Sequence, residues 1–484
     1  MLGELAARIG RMRDAETLLR RAVELSPGWT APKANLALIL GRTGRPAEAM
    51  ELLDDVFAAE PEGLSHWNLK AATLGRLGEF DEAIALYENV LERLPNQPRV
   101  WTTYGHMLKT VGRQSDGIAA YRRAIEISPS LGEAWWSLAN LKTVRFEPAD
   151  LEAMEKALNS AGLADEDRLH LHFALGKAMH DLGRANDAYA HYALGNALRL
   201  KREPYRPQDV TRLVDNSIRA FTAEAFAERS GGCEAPDPIF IVGMPRAGST
   251  LVAQILSSHS LVEGTTELPD LPAIAREGGG YPDSALALSE TGRRERGEAY
   301  LKRASVQRRT AKPFFIDKLP NNWMFVPFIQ LVLPKAKIID ARRHPMACCL
   351  SNFRQHFAKG QNFTYDLTDV GTYYADYVRL MAHVDGVLPG RVHRVIYERM
   401  VDDTEAEVRA LLDYLGLEFE PACLEFHKTE RAVRTASSEQ VRQPIYRDST
   451  EEWRAYEGHL APLTAALGDV VASYPDAPAA FLQR

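Results

Sequence analysis

Residues 239–257 read IFIVGMPRAGSTLVAQILS, and this stretch is the main indication of the fold of the second half of the chain. Four apolar residues precede a loop with glycines at 243 and 248, and an apolar, helix-like run follows. This order of strand, loop and helix is typical of a phosphate cradle with P-loop glycine spacing. A P-loop nucleotidase needs lysine directly after the second glycine, but Ser249 stands there and the basic residue is Arg246. The loop is therefore predicted to bind a different phosphate ester.

The size and composition of the chain limit the classes of protein that fit. Its 484 residues predict two or three domains, and its formal charge of −7 argues against nucleic acid as a partner. The sequence has no apolar run of about 18 residues and no signal-peptide core, so we expect a cytoplasmic protein without a membrane span. The four cysteines lack CxxC spacing, so they indicate neither a zinc site nor a disulfide framework.

The first half of the sequence is repetitive. Four similar segments each begin with a glycine and end with a proline, at 10 and 27, 44 and 61, 78 and 95, and 112 and 129. The period of 34 residues resembles the tetratricopeptide repeat, in which helix pairs stack into a solenoid. A further unit begins at Gly183, displaced from this frame.

These patterns predict three parts: an α-helical solenoid over 1–200, a helical linker over 201–236 with a helix near 207–228, and a domain over 237–484. The solenoid is expected either to bind a protein or peptide, as substrate or partner, or only to rigidify the chain or pair it in a homodimer. Five aromatic residues fall in first-helix positions, where packing is commoner than ligand contact; they are Trp67, Trp101, Tyr104, Trp135 and Trp136.

The second half is predicted to be an α/β domain. Three more segments hold a short apolar run that ends at polar residues: PFFIDKLP (313–320), AKIIDARRHP (336–345) and GRVHRVIYERM (390–400). Short apolar runs that alternate with helical stretches favour a parallel sheet flanked by helices, with the ligand beyond the carboxyl ends of the strands. We therefore expect the polar residues after each run to converge on the phosphate-binding loop.

Two readings of the loop remain at this point. A nucleotidase would use an acidic residue after a second strand, and Asp340 is available for that role. However, the loop lysine is missing, and Arg342 and Arg343 closely follow the aspartate, where they would oppose a bound metal. The nucleotidase reading is therefore the weaker one.

The alternative is sulfuryl transfer. PRAGSTL (245–251), DKLPNN (317–322) and RRHPMACCLSNF (342–353) resemble the sulfotransferases that use 3'-phosphoadenosine 5'-phosphosulfate (PAPS). Within them they are most similar to the protein-tyrosine sulfotransferases and their bacterial relatives fused to tetratricopeptide repeats. The resemblance implies a P-loop-like α/β fold, PAPS as donor, its desulfated product PAP, and no required metal. It favours protein tyrosine as the acceptor, with a carbohydrate or small alcohol as alternatives.

The resemblance also implies roles for individual residues. Glu267 is the expected catalytic base, with Glu263 as its competitor, and Lys318 is expected to stabilise charge on the bridging oxygen of the donor. Ser437 matches a serine near the transferred group. The 5'-phosphosulfate is expected to contact the loop residues Arg246, Ala247, Gly248, Ser249 and Thr250.

Further residues are implied at the nucleotide end of the donor. Arg343 and Ser351 match an arginine and a serine that bind the 3'-phosphate, Tyr397 matches a tyrosine beside the adenine, and Arg442 is expected to add charge at the phosphates. The sequence departs from the family pattern at Ala247, His344, Met346, Gln355 and Glu452. These departures leave open a rival hypothesis in which the chain is a catalytically inactive repeat scaffold for protein interaction.

Overall fold

In the computed structural model the described residues are 2–61, 63–265, 267–358, 360–429, 440–445 and 450–482. The chain forms two compact units, of which unit 1 comprises Met1–Val144 and Pro148–Leu163, and unit 2 comprises Arg145–Glu147 and Ala164–Arg484. The contact boundary therefore lies before residue 200, where the sequence analysis ends the solenoid. The reason is that the helix pair over 165–202 packs within unit 2. For example, Asn196 Nδ2 donates to the Phe353 carbonyl at 3.0 Å.

Unit 1 is built of α-helices in antiparallel pairs. They are α1 (Leu2–Arg8), α2 (Met12–Leu25), α3 (Thr30–Arg42), α4 (Pro46–Ala59), α5 (Leu64–Leu77), α6 (Phe80–Arg93), α7 (Pro98–Thr110), α8 (Gln114–Ile127), α9 (Gly132–Ala139) and α10 (Pro148–Leu158). The repeat glycines at 10, 44, 78 and 112 have φ angles of 80, 83, 92 and 87°. This left-handed conformation favours glycine and turns the chain between the two helices of a pair. The left-handed turn in each helix pair thus explains why glycine recurs every 34 residues.

The first-helix tryptophans stabilise the repeat array. The indole Nε1 of Trp67, Trp101 and Trp135 donates to the carbonyl of the proline six residues earlier, at 2.8, 2.8 and 2.9 Å. The same bond recurs once per period, because the proline that closes one unit leaves its carbonyl facing the first helix of the next. These three side chains therefore pack as the sequence predicts.

Unit 2 surrounds a parallel sheet with helices. Its first helices are α11 (Asp165–Asp181), α12 (Ala185–Arg202), α13 (Pro207–Ala220) and α14 (Ala223–Ala227). The strands and the helices between them are β1 (Pro238–Gly243), α15 (Ser249–Ser257), β2 (Val262–Gly264), α16 (Asp270–Ala275), α17 (Asp283–Leu286), α18 (Glu290–Ala304), β3 (Phe314–Lys318), α19 (Val326–Val332), β4 (Lys337–Arg342), α20 (Pro345–Phe353), α21 (Leu367–Val387) and β5 (Val392–Ile396). The last helices are α22 (Tyr397–Asp402), α23 (Thr404–Leu415), α24 (Ala461–Leu467), α25 (Val470–Ser473) and α26 (Ala479–Leu482). The helix expected near 207–228 is present as α13 and α14.

The five strands follow the order β2-β3-β1-β4-β5, and every pairing is parallel. The α/β prediction is therefore confirmed, although the sequence analysis did not identify the three-residue strand β2. The core on one face of the sheet is formed by apolar side chains from the strands, α15 and α23, including Ile239, Ile241, Ile339, Val252, Leu256, Leu411 and Leu412. Because β1, β3 and β4 are adjacent and parallel, the residues after their carboxyl ends share one edge.

Candidate active site

The loop between β1 and α15 is tightly enclosed. Gly243 has φ 129°, and a Cβ there would lie 2.3 Å from the Ala341 carbonyl oxygen. Gly248 has φ 95°, and a Cβ there would lie 2.8 Å from Cδ2 of Tyr397. Both positions therefore require glycine, for conformation and for space. The loop leads directly into the N-terminus of α15 at Ser249, where backbone N–H groups favour an anion.

Arg246 lies at the centre of this loop in a left-handed conformation, with φ 66°. Its Nε donates to Ser351 Oγ at 3.2 Å, and its Nη2 lies 3.4 Å from Gln440 Oε1. Burial, together with the nearby positive charge of Arg343, lowers the pKa of Arg246 to about 10. The guanidinium expected at the 5'-phosphosulfate thus lies beside Ser351, which the sequence assigned to the 3'-phosphate.

Arg343 joins the same cluster from the end of β4. Its Nη1 lies 3.4 Å from the Arg246 carbonyl, and its guanidinium lies 4.8 Å from the centre of the Tyr397 ring. Tyr374 donates to the Arg343 carbonyl at 2.7 Å and holds the backbone in place. The charge of Arg343 lowers the pKa of Arg246, so the two guanidinium groups repel each other, and an anion with more than one negative charge would offset the repulsion. The cluster of Arg246, Arg343, Ser351 and Tyr397 therefore fits a phosphate ester.

A second pair of charged side chains lies at the same sheet edge. Lys318, the last residue of β3, forms an ion pair with Glu267. The Lys318 side chain is 8% exposed and that of Glu267 is 46% exposed. In the sheet register Lys318 faces Ile241, two residues before Gly243, so the pair belongs to the loop edge. The carboxylate of Glu267, between β2 and α16, thus meets the ammonium group of Lys318 at the end of β3.

Glu263, the competing carboxylate, has a structural role. It is buried, and it accepts hydrogen bonds from the backbone N–H groups of Arg309 at 2.5 Å and Thr310 at 2.8 Å. The guanidinium of Arg308 adds a contact at 3.4 Å. Glu263 therefore anchors the loop before β3, whereas Glu267 keeps an exposed carboxylate.

Asp340, considered above as a magnesium ligand, is enclosed by cations. Arg342 Nη2 and Arg394 Nε each lie 3.0 Å from its Oδ2, and the Tyr377 hydroxyl donates to its Oδ1. Burial opposes its charge, but the two arginines and Tyr377 together hold the pKa of Asp340 below its usual value. The carboxylate is thus occupied in a buried ion-pair cluster, which removes the main support for a nucleotidase.

Asp317, the residue before Lys318, differs from Asp340. It is fully buried and accepts a hydrogen bond from the Tyr300 hydroxyl at 2.9 Å. Burial raises the pKa of Asp317 to about 8. The two aspartates, on the strands that flank β1, therefore differ in the direction of their pKa shifts because only Asp340 has arginine partners.

The departures from the family pattern have partners in the structure. Glu452 stands where the family has a basic residue, and it pairs with Arg354 at 3.2 Å. His344 stacks on Trp453, with ring centroids 5.6 Å apart and planes 9° apart. Sequence reasoning missed Arg354 and Trp453 because their partners are remote in the chain. The only sequence signal was that Arg354 directly precedes the departing Gln355.

The remaining predicted residues lie in different places. Ala247, Ser249 and Thr250 are buried in the loop and the start of α15. Arg442 lies in a 3₁₀ turn over Gln440–Arg442, two residues after Gln440, which faces Arg246. Ser437 lies outside the described residues, so its role stays a prediction. Among the helices of the described ranges, none is both long and apolar enough to cross a membrane.

Comparison with known proteins gives relatives that each match part of the chain. An uncharacterized protein of Aquifex aeolicus is 32% identical over 332 residues, which cover 66% of this chain and 44% of that protein. This chain thus matches less than half the length of that relative. A putative protein-tyrosine sulfotransferase of Caenorhabditis briggsae is 23% identical over 49% of this chain and 91% of its own length. The sulfotransferase domain of the Synechococcus PCC 7002 olefin synthase is 23% identical, covers 46% of this chain and 88% of its own, and superposes with a TM-score of 0.36.

Comparisons with family models match the first half and the second half of the chain to different families. Tetratricopeptide-repeat families match residues 8–73, 64–107 and 98–131. The sulfotransferase family matches residues 238–421, which contain the loop, the Glu267–Lys318 pair and the arginine cluster. The chain therefore matches tetratricopeptide-repeat families over residues 8–131 and the sulfotransferase family over residues 238–421.

Proposed function

We propose that unit 2 transfers a sulfuryl group from PAPS to an acceptor hydroxyl. The observation that carries the proposal is the Glu267–Lys318 pair, which lies at the same sheet edge as the loop and its arginine cluster. Sulfuryl transfer needs a group that takes a proton from the acceptor and cations that neutralise the departing phosphate. The family match over 238–421 supports the same reaction class.

Each residue has a stated part in this reaction. When bound, PAPS supplies the sulfuryl group and is converted to PAP. Glu267 takes the proton from the acceptor hydroxyl, and its 46% exposed side chain allows an acceptor to approach. Lys318 neutralises the charge that develops as the donor is cleaved, and its low exposure strengthens this effect because little water screens it. Arg246 binds the 5'-phosphosulfate, and Arg343 and Ser351 bind the 3'-phosphate.

The ion pair between Glu267 and Lys318 has a consequence for the order of events. In the structure the ammonium group is occupied by the carboxylate. Charge stabilisation of the donor therefore requires Lys318 to leave Glu267 or to share its protons with both groups. The same change frees the carboxylate to take a proton, so one movement prepares both residues.

Protein tyrosine is the acceptor that we favour. The similarity to a putative protein-tyrosine sulfotransferase supports it, and the repeats suit the capture of a protein or peptide substrate. A carbohydrate or a small alcohol is the alternative, since the proposed base would act on any hydroxyl. The repeats would then bind a partner or a second copy of the chain.

The test is transfer of radiolabelled sulfate from PAPS to a panel of tyrosine peptides, sugars and simple alcohols. We expect product with the peptides, and transfer only to sugars or alcohols would redirect the acceptor assignment. No transfer to any class, together with no binding of PAP, would support the inactive scaffold. PAP binding without transfer would leave the cofactor assignment standing and would contradict the catalytic one.

A further inference from the structure

Three side chains with metal-ligand chemistry meet in unit 2 outside the proposed active site. Glu166 and His170 are four residues apart on α11, which places them on one face of the helix. His356 follows the end of α20. The ligand atoms of the three residues all lie within 4.8 Å of one another. This constellation consists of one carboxylate and two imidazoles, and the proposed reaction uses none of them.

The two imidazoles are held in a suitable arrangement. Their ring centroids are 5.0 Å apart and their planes are inclined by 72°. His170 is 7% exposed and His356 is 8% exposed, so both rings are fixed by packing. Each ring brings a nitrogen within 4.8 Å of the other ring's nitrogen and of a carboxylate oxygen of Glu166.

A hydrogen bond fixes the tautomer of His356. The Tyr365 hydroxyl donates its one proton to the Phe357 carbonyl at 2.9 Å. It must therefore act as acceptor toward His356 Nδ1, which lies 3.2 Å away. The proton of the neutral imidazole thus resides on Nδ1, and Nε2 is the ring nitrogen that carries the lone pair. Metal-binding histidines characteristically donate their second ring N–H in this way.

One side chain competes with a cation at this site. Arg202 of α12 forms an ion pair with Glu166, and the Arg202 side chain is 58% exposed. Because both side chains of this pair reach water, a divalent cation can displace Arg202 from the carboxylate. Arg199, on the same helix, is engaged separately by Glu203 at 2.8 Å.

We propose that Glu166, His170 and His356 bind one zinc-class divalent cation, with water in the fourth position. Neutral imidazole and carboxylate are ligands that zinc accepts in a tetrahedral site, whereas magnesium and calcium prefer oxygen ligands alone. The cation would join α11 to the chain segment that follows α20, the helix that carries Ser351. The proposal does not depend on sulfotransferase activity.

The test uses the full chain after treatment with a chelator and its removal. Calorimetric titration with ZnCl₂ should give one bound zinc per chain, and CoCl₂ should give the visible absorption of tetrahedral cobalt. Both Glu166→Gln and His356→Ala should weaken zinc binding by at least about tenfold. Arg202→Gln should strengthen it, because it removes the competing cation. Zinc should also raise the unfolding temperature of the wild type but not of Glu166→Gln.

The matched control is His172→Ala, on the same helix but outside the constellation. It should bind zinc as the wild type does. Glu166 is exposed, so its variant is expected to fold even if His356→Ala does not. Failure of the wild type to bind zinc, or equal affinity in the wild type, Glu166→Gln and Arg202→Gln, would overturn the proposal.

Discussion

Replacement of Glu267 by glutamine should remove most sulfuryl transfer and leave the fold intact. The amide has nearly the shape of the carboxylate but cannot take a proton from the acceptor. Loss of a general base typically costs about 10² to 10⁴ in rate, which corresponds to about 2.7–5.4 kcal/mol of transition-state stabilisation. The Glu267 side chain is 46% exposed, so its ion pair with Lys318 should contribute only about 0.2–1 kcal/mol to folding.

Glu263→Gln is the matched control for this prediction. Glu263 is the same residue type four positions earlier, but it is buried and accepts from two backbone N–H groups. Glutamine there can present an N–H₂ group to a donor, so we expect a loss of about 1–3 kcal/mol in folding stability. Turnover per folded molecule should be unchanged. Glu267→Gln should therefore lower turnover and keep stability, whereas Glu263→Gln should lower stability and keep turnover.

The assay combines three measurements on each variant. Turnover is measured with PAPS and the acceptor that the panel identifies, PAP affinity by calorimetry, and stability by thermal unfolding. The reasoning is refuted if Glu267→Gln turns over at the wild-type rate. It is equally refuted if Glu263→Gln loses turnover while it remains as stable as the wild type.

Three further predictions concern folding. The folded chain keeps a proton on Asp317 that the unfolded chain releases above about pH 4, so stability should fall by up to about 1.4 kcal/mol per pH unit as the pH rises toward about 8. Asp317→Asn should abolish this fall, as thermal unfolding between pH 5 and 8 would show, and an unchanged pH dependence would contradict it. Asp340→Asn should cost about 3–5 kcal/mol because it leaves buried Arg342 without its carboxylate, and a loss below 1 kcal/mol in thermal unfolding would count against the cluster. Trp135→Phe should cost about 1–3 kcal/mol and Trp101→Phe about 0.5–1.5, because Trp135 is buried, and the reverse order would disprove the argument.

The sequence predicted the repeats and the sheet because each has a local signal. The 34-residue period arises because each unit needs glycine in a left-handed turn, and the apolar runs arise because the strands are buried. The unit boundary has no such signal. The helix pair over 165–202 has a repeat-like sequence, yet its contacts, such as Asn196 with Phe353, join residues far apart in the chain. Strand β2 is too short to show periodicity.

The candidate site was predictable where it depends on strand ends. Lys318 ends β3 and Arg343 follows β4, and parallel topology brings them to one edge. The different environments of Glu267 and Glu263 were not predictable, because the hydrogen bonds that enclose Glu263 come from a loop more than forty residues later. The same limit applies to Glu452, whose partner Arg354 is 98 residues away. The negative charge of Glu452 acquires its positive partner Arg354 only when the chain folds.

The most direct test of the proposed cofactor is calorimetric titration of the full chain with PAP, without and with magnesium. The account predicts binding that does not depend on magnesium and that weakens at least about tenfold in Arg343→Ala, since a charged hydrogen bond to phosphate is lost. The hydrogen bond from Tyr374 to the Arg343 carbonyl does not involve the side chain that is removed, so we expect the variant to keep its fold. No binding of PAP, or binding only of ATP with magnesium, would contradict the assignment of this domain as a PAPS-dependent enzyme.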